Sequence, residues 1–343
     1  MGFYNRAAFF ATLLKDRFTG GRTPLVVVLN TTFRCNLKCG YCYGQYFGRK
    51  DADFTTEELS GLIDGLRKLG TRSITLGGGE PLLRNDIGFL IRKIKDCGIE
   101  CGMNTNGILI PRRLPDLKDI DMVTVSIDGP KEMNDANRGT GSFEEIMAGI
   151  DAALRAGIKV HTTTVITRHN TDAVDWIVNL AREKRMQAEF NFLFHQSGGK
   201  SESDRYMAEQ NLFRKAANRV AELKKQGAPI LFSEAVYRYA ADWPDPHQRI
   251  VMGQEPDFDY IRCFAGRFMM FIDADGRTYP CVQLIDAFDA LDFRKVGIEK
   301  AWEHCSGHAC KTCYFPCYNE FNKIASLDLK VLAGQVISTL KSR

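Results

Sequence analysis

Between residues 24 and 196 the chain alternates six times between strand-like apolar runs and segments of helical periodicity. That alternation confines it to an α/β fold built on a parallel sheet. "PLVVVLNTT" (24–32) is β-branched and continuous, as a strand covered on both faces should be, and it ends in a cysteine-rich loop. "TTEELSGLIDGLRKLG" follows, with a Thr cap, acids in its first turn and apolar residues at helical spacing. "SITLGG", "ECGMNTN", "DMVTVSIDG", "KVHTTTVIT" and "AEFNFLFHQ" read as the later strands. "DIGFLIRKIKDCG", "SFEEIMAGIDAALRAG" with a Ser cap and a closing Gly, and "TDAVDWIVNLAREKR" read as the helices between them.

Parallel α/β sheets collect their chemistry at the C-terminal ends of the strands. Cys35, Cys39 and Cys42 follow the first strand, "GGGEP" (77–81) the second, and "NTNG" (104–107) the third. "SIDGP" (126–130) and "NRGTGSF" follow the fourth, and "FHQ" the sixth. The polar and Gly-rich residues thus fall on one rim, which marks an active-site face.

The cysteines need a setting. The net charge of +4 comes from nearly balanced acids and bases, too mild to point to nucleic acid. No apolar run reaches transmembrane length, and Lys15, Asp16 and Arg17 interrupt the one signal-like stretch. The expected location is therefore a reducing cytosol, where the eleven cysteines serve as metal ligands or catalytic groups rather than a disulfide framework. Cys97 and Cys101, outside the two clusters, read as small buried hydrophobes. Three thiolates in the first cluster are one short of a closed zinc site or a four-thiolate iron–sulfur site. They leave an open position for a substrate. A zinc knuckle with its fourth ligand elsewhere is the alternative, and the rim glycines argue for close backbone approach to a bulky ligand instead.

The C-x3-C-x2-C spacing, with Tyr41 before its last cysteine, resembles the motif of the radical S-adenosylmethionine (SAM) superfamily, and "GGGEP" resembles a second motif of that family. The resemblance covers residues 24–196 and implies a partial (β/α)6 TIM-like barrel. It implies a [4Fe–4S] cluster on Cys35, Cys39 and Cys42 whose unique iron is chelated by the amino and carboxylate groups of SAM. Reduction would cleave SAM to methionine and a 5′-deoxyadenosyl radical that takes a hydrogen from substrate. By the same resemblance Gly77, Gly78 and Gly79 offer carbonyls to the SAM ammonium, with Glu80 beside them. Ser126 and Arg138 contact its carboxylate, for which a guanidinium is a fixed two-pronged donor. Tyr41, Val165 and Leu193 face the adenine. The plain alternatives are a strand-end turn at Ser126 and Asp128, a surface position for Arg138, and turn roles for Asn106 and Gly107.

Cys263-x12-Gly276-x4-Cys281 resembles the start of the auxiliary-cluster modules called SPASM and twitch. Between those cysteines "FMMFIDADGRTYPC" reads as a hairpin with Asp275 and Gly276 in its turn, expected to bring Cys263 and Cys281 together at its open end. Cys305, Cys310, Cys313 and Cys317 follow, the last three as C-x2-C-x3-C. A full SPASM module carries C-x2-C-x5-C-x3-C and one further cysteine, so this chain departs from it. Six thiols are too few for two four-thiolate sites. One auxiliary [4Fe–4S] cluster is expected on Cys263, Cys281, Cys310 and Cys313, with Cys317 or Cys305 as substitutes; a structural zinc ribbon is the alternative.

The expected layout is an N-terminal amphipathic helix (1–23), the barrel (24–232), a linker region (233–259), a small auxiliary-cluster domain of hairpin, cysteine-rich loops and helix (260–320), and a C-terminal amphipathic helix (321–343). Phe3, Ala7, Phe10 and Leu14 form one stripe of the first helix, with Leu13 beside it and Arg6, Lys15 and Arg17 as cations. Either end helix packs on the barrel or lies on a membrane surface, the latter pointing to a lipid substrate. The candidate general base is His195, at the end of the sixth strand, or an acid within residues 234–260, although a lone His at a strand end more often serves structure. Three functions remain: a radical SAM enzyme acting on a small molecule or lipid, with a flavodoxin or ferredoxin as reductant; the same machinery acting on a ribosomally made peptide; or a non-catalytic metal-stapled binding protein.

Overall fold

The computed structural model describes residues 3–44, 53–194 and 202–332. They form two compact units. The first comprises Met1–Ile127, Asn134–His161 and Ala265–His308; the second comprises Asp128–Met133, Thr162–Phe264 and Ala309–Arg343.

In the first unit β1 (Val26–Asn30), β2 (Ser73–Gly77), β3 (Glu100–Thr105) and β4 (Met122–Ser126) pair in parallel in sequence order. Their registers align Val28 with Thr75, Thr75 with Gly102, and Asn104 with Thr124. One face of this sheet is apolar: Val27, Leu29, Ile74, Leu76, Cys101, Met103, Val123 and Val125 are 0–1% exposed. The helices that follow the strands present the matching faces. α1 (Phe3–Thr19) precedes the sheet; α2 (Thr56–Lys68) and α3 (Ile87–Asp96) follow β1 and β2. α2 buries Leu59, Leu62, Ile63 and Leu66, and α3 buries Ile87, Leu90, Ile91 and Ile94. Each such side chain withdrawn from water contributes about 1.5–3 kcal/mol. The opposite phase of the strands carries Ser73, Thr75, Glu100, Asn104 and Ser126, and exposed Asn104 sits on a central strand. Period-two alternation thus gives one greasy face to the helices and leaves a polar face for ligands.

The expected Thr55 cap of α2 is present as a capping box with Glu58. The expected Ser142 cap is not. After α4 (Ile110–Arg113) and α5 (Lys131–Arg138), α6 (Ser142–Arg155) begins behind Gly141, whose φ of +83° only glycine adopts easily. Asp135 accepts from Gly141 N and Phe143 N at 2.8 and 3.0 Å, doing what the Ser was expected to do. In α1 the buried pair is Phe9 and Leu13, while Leu14 and Phe18 are exposed. The buried face therefore differs from the stripe read from sequence. The side chains of Phe3 and Arg6 lie outside the described residues. No described helix is long and apolar enough to cross a membrane.

β5 (Val160–Ile166) carries the chain from the first unit into the second, where β6 (Gln187–Phe192) follows it. α7 (Val174–Glu183), α8 (Gln210–Lys225) and α9 (Glu234–Ala241) accompany them. The core here is aromatic: Phe192 packs on Phe213 with ring centroids 4.5 Å apart, Phe213 on Tyr314, and Tyr314 on Trp243. Buried hydroxyls find partners, as they must. Tyr237 Oη accepts from Phe190 N, and Tyr314 Oη donates to Leu193 O. The stretch read as a linker holds α9 and the short β7 (Ile250–Met252).

The predicted hairpin is β8 (Met269–Ile272) and β9 (Arg277–Tyr279), with Gly276 at φ +85° in its turn. β8 also pairs in parallel with β1, which extends the first unit's sheet to β8 and β9 and then to β10 (Leu291–Asp292). Helices α10 (Phe293–Val296) and α11 (Ile298–His304) close that unit. In the second unit β11 (Cys310–Cys313) pairs antiparallel with β7, and α12 (Pro316–Ala325) follows. The C-terminal helix expected over 321–343 is interrupted: α12 ends at Ala325, Leu327 takes φ +60°, and residues 333–343 lie outside the described residues.

Candidate active site

The loop that carries Cys35, Cys39 and Cys42 starts where β1 ends, and the β1–β2 pairing continues into it. Thr31 N donates to Gly77 O, Gly79 N to Thr32 O, and Glu80 N to Arg34 O, at 2.8–2.9 Å. Two segments that read as separate motifs in sequence are one hydrogen-bonded ribbon. This is what crowds the glycines. A Cβ at Gly78 would stand 2.5 Å from Thr32 O, and one at Gly79 would stand 2.2 Å from Arg34 O. The neighbour that requires glycine there is the cysteine loop's own backbone.

Glu80 anchors the ribbon from below. Its side chain is fully buried and accepts from Leu82 N, Thr105 Oγ1 and Asn106 N at 2.8–3.0 Å. Burial still outweighs these three donors and pushes its carboxyl up to about 7. Arg84, also buried, donates to Thr31 O and Phe54 O and pairs with Asp86 at 2.6 Å. Asn106 caps its own turn by accepting from Ile108 N, and its Nδ2 donates to Asn36 Oδ1 at 2.7 Å. At the far side Gly40 N donates to Asn137 O, and the Arg138 guanidinium lies over the Tyr41 ring at 5.6 Å. The loop is held from the ends of β2 and β3 and from α5.

Arg138 is thus 6% exposed rather than a surface residue. The clamps Arg84, Asn36 and Asn137 escaped the sequence reading. Only "NTNG" gave a hint, and nothing in the sequence pairs Asn106 with Asn36.

The thiols themselves are partly accessible. Cys35 accepts from Leu37 N at 3.5 Å, and burial, only partly offset by that contact, pushes its thiol up to about 11. Among the described residues no three His, Cys, Asp or Glu side chains already converge as a metal site. The donor chemistry nevertheless fits an iron–sulfur cluster: three soft thiols on one short loop, held by backbone ahead of Cys35 and at Gly40.

Ser126 ends β4 in the first unit, half-buried. Val165 and Leu193 lie in the second unit, where Val165 N donates to Asp128 Oδ1 and Leu193 N to Ile166 O. Asp128 is therefore more than a turn residue: its carboxylate fixes β5, and its carbonyl accepts from Asn170 Nδ2. His195 lies outside the described residues.

Of the C-terminal cysteines, Cys281 and Cys305 belong to the first unit and Cys263, Cys310, Cys313 and Cys317 to the second. Cys263 N donates to Lys311 O, which places its backbone against β11, the strand bearing Cys310 and Cys313. Burial, reinforced by Cys263, pushes the Cys313 thiol up to about 12. Asn319 Nδ2 holds Cys313 O at 2.7 Å, and Asn322 Oδ1 accepts from Phe264 N. Cys305 is buried with its thiol directed at Thr278 O. Cys101 is buried in β3, and Cys97 closes α3.

Comparison with known proteins adds to this geometry. The family model of the radical SAM superfamily matches residues 29–181. Fe-coproporphyrin III synthase of Methanosarcina barkeri is 37% identical over 178 residues, 50% of this chain and 44% of that protein. The chain thus spans less than half the length of that relative. An AdoMet-dependent heme synthase of the same organism is 26% identical over 301 residues, 82% of each chain. Streptococcus suis SuiB bound to S-adenosylmethionine shares the fold with a TM-score of 0.66 at 18% identity, covering 86% of this chain and 70% of SuiB. The mostly parallel sheet with helices matches that partial barrel. The superfamily's fold binds SAM and a [4Fe–4S] cluster, and the C-terminal cysteines fit an auxiliary cluster. With the cysteine loop and the glycine ribbon in place, residues 29–181 carry a radical SAM domain.

Proposed function

We propose that the protein is an enzyme that binds a [4Fe–4S] cluster on Cys35, Cys39 and Cys42, cleaves SAM there reductively, and takes a hydrogen from a small-molecule or lipid substrate. When bound and reduced, the cluster supplies the electron that splits SAM into methionine and a 5′-deoxyadenosyl radical; the rest is the work of the chain. The ribbon between residues 77–80 and 31–34 supports this reading most directly, because it fixes the segment that leads into the cysteine loop. Gly77, Gly78 and Gly79 carry the SAM ammonium on backbone carbonyls. Arg138, held over Tyr41, takes the carboxylate together with Ser126. Tyr41, Val165 and Leu193 bound the adenine. Cys263, Cys281, Cys310 and Cys313 hold one auxiliary cluster, with Cys305 or Cys317 as substitutes, and a flavodoxin or ferredoxin delivers electrons.

The experiment is anaerobic reconstitution followed by SAM and dithionite, with 5′-deoxyadenosine quantified alone and with lipid, peptide and polar fractions of a cell extract. Product above the protein-free background supports the enzyme. No product from an iron-replete preparation rejects it. A fraction that stimulates turnover names the substrate class, the peptide fraction deciding for a peptide maturase.

A further inference from the structure

Strands β5 and β6 present two unlike faces. On β6, Phe190 packs on Tyr237 of α9 and Phe192 on Phe213 of α8. Alternation turns Glu189 and Asn191 to the face away from the helices. Thr163 of β5 meets them there. Asn191 Nδ2 donates to Thr163 Oγ1 at 3.3 Å, and the Glu189 carboxylate accepts from both Thr163 and Asn191. Thr163 and Glu189 remain partly accessible, whereas Asn191 is 8% exposed. Asn191 Oδ1 is buried with no hydrogen-bond partner among the described residues.

Among the described residues, no cation acts on this acceptor cluster. The influences on Glu189 are desolvation and two neutral donors, and the titratable group that senses it is Tyr237, across the strand. Buried carboxylates ordinarily have a cationic partner. Without one, burial pushes this carboxyl up to about 7. An ionised carboxylate has about four acceptor positions, of which two are used here, and Asn191 Oδ1 adds another.

We propose that Glu189, Thr163 and Asn191 form a binding site for a primary ammonium group carried by the substrate. This rests on the enzymatic reading above and deepens it. An ammonium brings one positive charge and three N–H donors, matching the missing charge and the open acceptors. A hydroxyl brings no charge, and a quaternary ammonium brings no donors.

The test uses reconstituted protein with three probes that share a butyl chain: n-butylammonium, n-butanol and butyltrimethylammonium. Saturation-transfer NMR should show butylammonium binding at least tenfold more tightly than the other two. Glu189→Gln, checked for native circular dichroism, should weaken it at least tenfold. In wild-type protein at pH 6.5, butylammonium binding should release protons to an indicator dye, because the cation converts the acid form to carboxylate. Equal binding of the three probes, or amine binding without proton release, overturns the proposal. Substrate-free 5′-deoxyadenosine formation is measured on the same preparation. Its absence with amine binding intact rejects the enzymatic reading alone; its presence without amine binding rejects the ammonium site alone.

Discussion

Gly79 lies against Arg34 so closely that a Cβ there would stand 2.2 Å from the Arg34 carbonyl oxygen, the same oxygen that accepts from Glu80 N. Backbone cannot yield as a flexible side chain would. Gly79→Ala should therefore push the cysteine loop off the ribbon. Iron incorporated on reconstitution, assayed with absorbance near 400 nm, should fall by up to half, the share that the loop's cluster holds. Gly61→Ala is the control: nothing lies within 4 Å of its added Cβ, on α2, and it should gain up to about 1 kcal/mol of stability while keeping its iron. Full iron in Gly79→Ala would show that the ribbon does not hold the loop.

Glu80 receives three donors in a fully buried position. Glu80→Ala leaves them without an acceptor. Urea unfolding should report a loss of about 3–5 kcal/mol, from three buried donors left unmet. A loss below about 1 kcal/mol would mean that water replaces the carboxylate.

His161 on β5 is 3% exposed, and neither ring nitrogen has a hydrogen-bond partner among the described residues. Burial, aided by Lys159, lowers its folded value to about 4 from an ordinary 6.5. The folded state therefore holds fewer protons than the unfolded state between those values. His161's contribution to stability is intact above about pH 6.5 and is lost as pH falls towards 4, by about 3 kcal/mol. The stability difference between wild type and His161→Leu should shift by that amount between pH 7 and pH 4, and stay flat above 7. A pH-independent difference would place the imidazole in contact with water.

Replacing Cys35, Cys39 and Cys42 together by Ala should leave one cluster per chain. Replacing Cys263 and Cys313 should leave the other and its SAM cleavage. Iron counts and electron paramagnetic resonance distinguish these outcomes; two clusters surviving the triple change would assign the loop to something other than iron.

The alternating strands and helices, the Thr55 cap, the Gly276 turn and the first cysteine loop were all readable in the chain. Each depends on residues within a few positions of one another, where propensity and periodicity act. Ser142 misled because the residue that caps α6 is Asp135, seven positions earlier, and local cap chemistry cannot register an acceptor brought back by a turn. The face of α1 was likewise unreadable, since Phe9 and Phe10 are equally apolar and only the surface they meet selects Phe9.

The sequence by itself determined an α/β chain with thiols at the mouth of its first strand, because hydrophobic period and cysteine spacing are written in order along it. Tertiary structure alone decided that β8 pairs with β1, that residues 77–80 lie on 31–34, and that Thr163 meets Glu189 and Asn191. These contacts join positions far apart in the chain. Their partners are chosen by which backbone and polar groups remain unpaired when the sheet closes, and no local pattern encodes that choice.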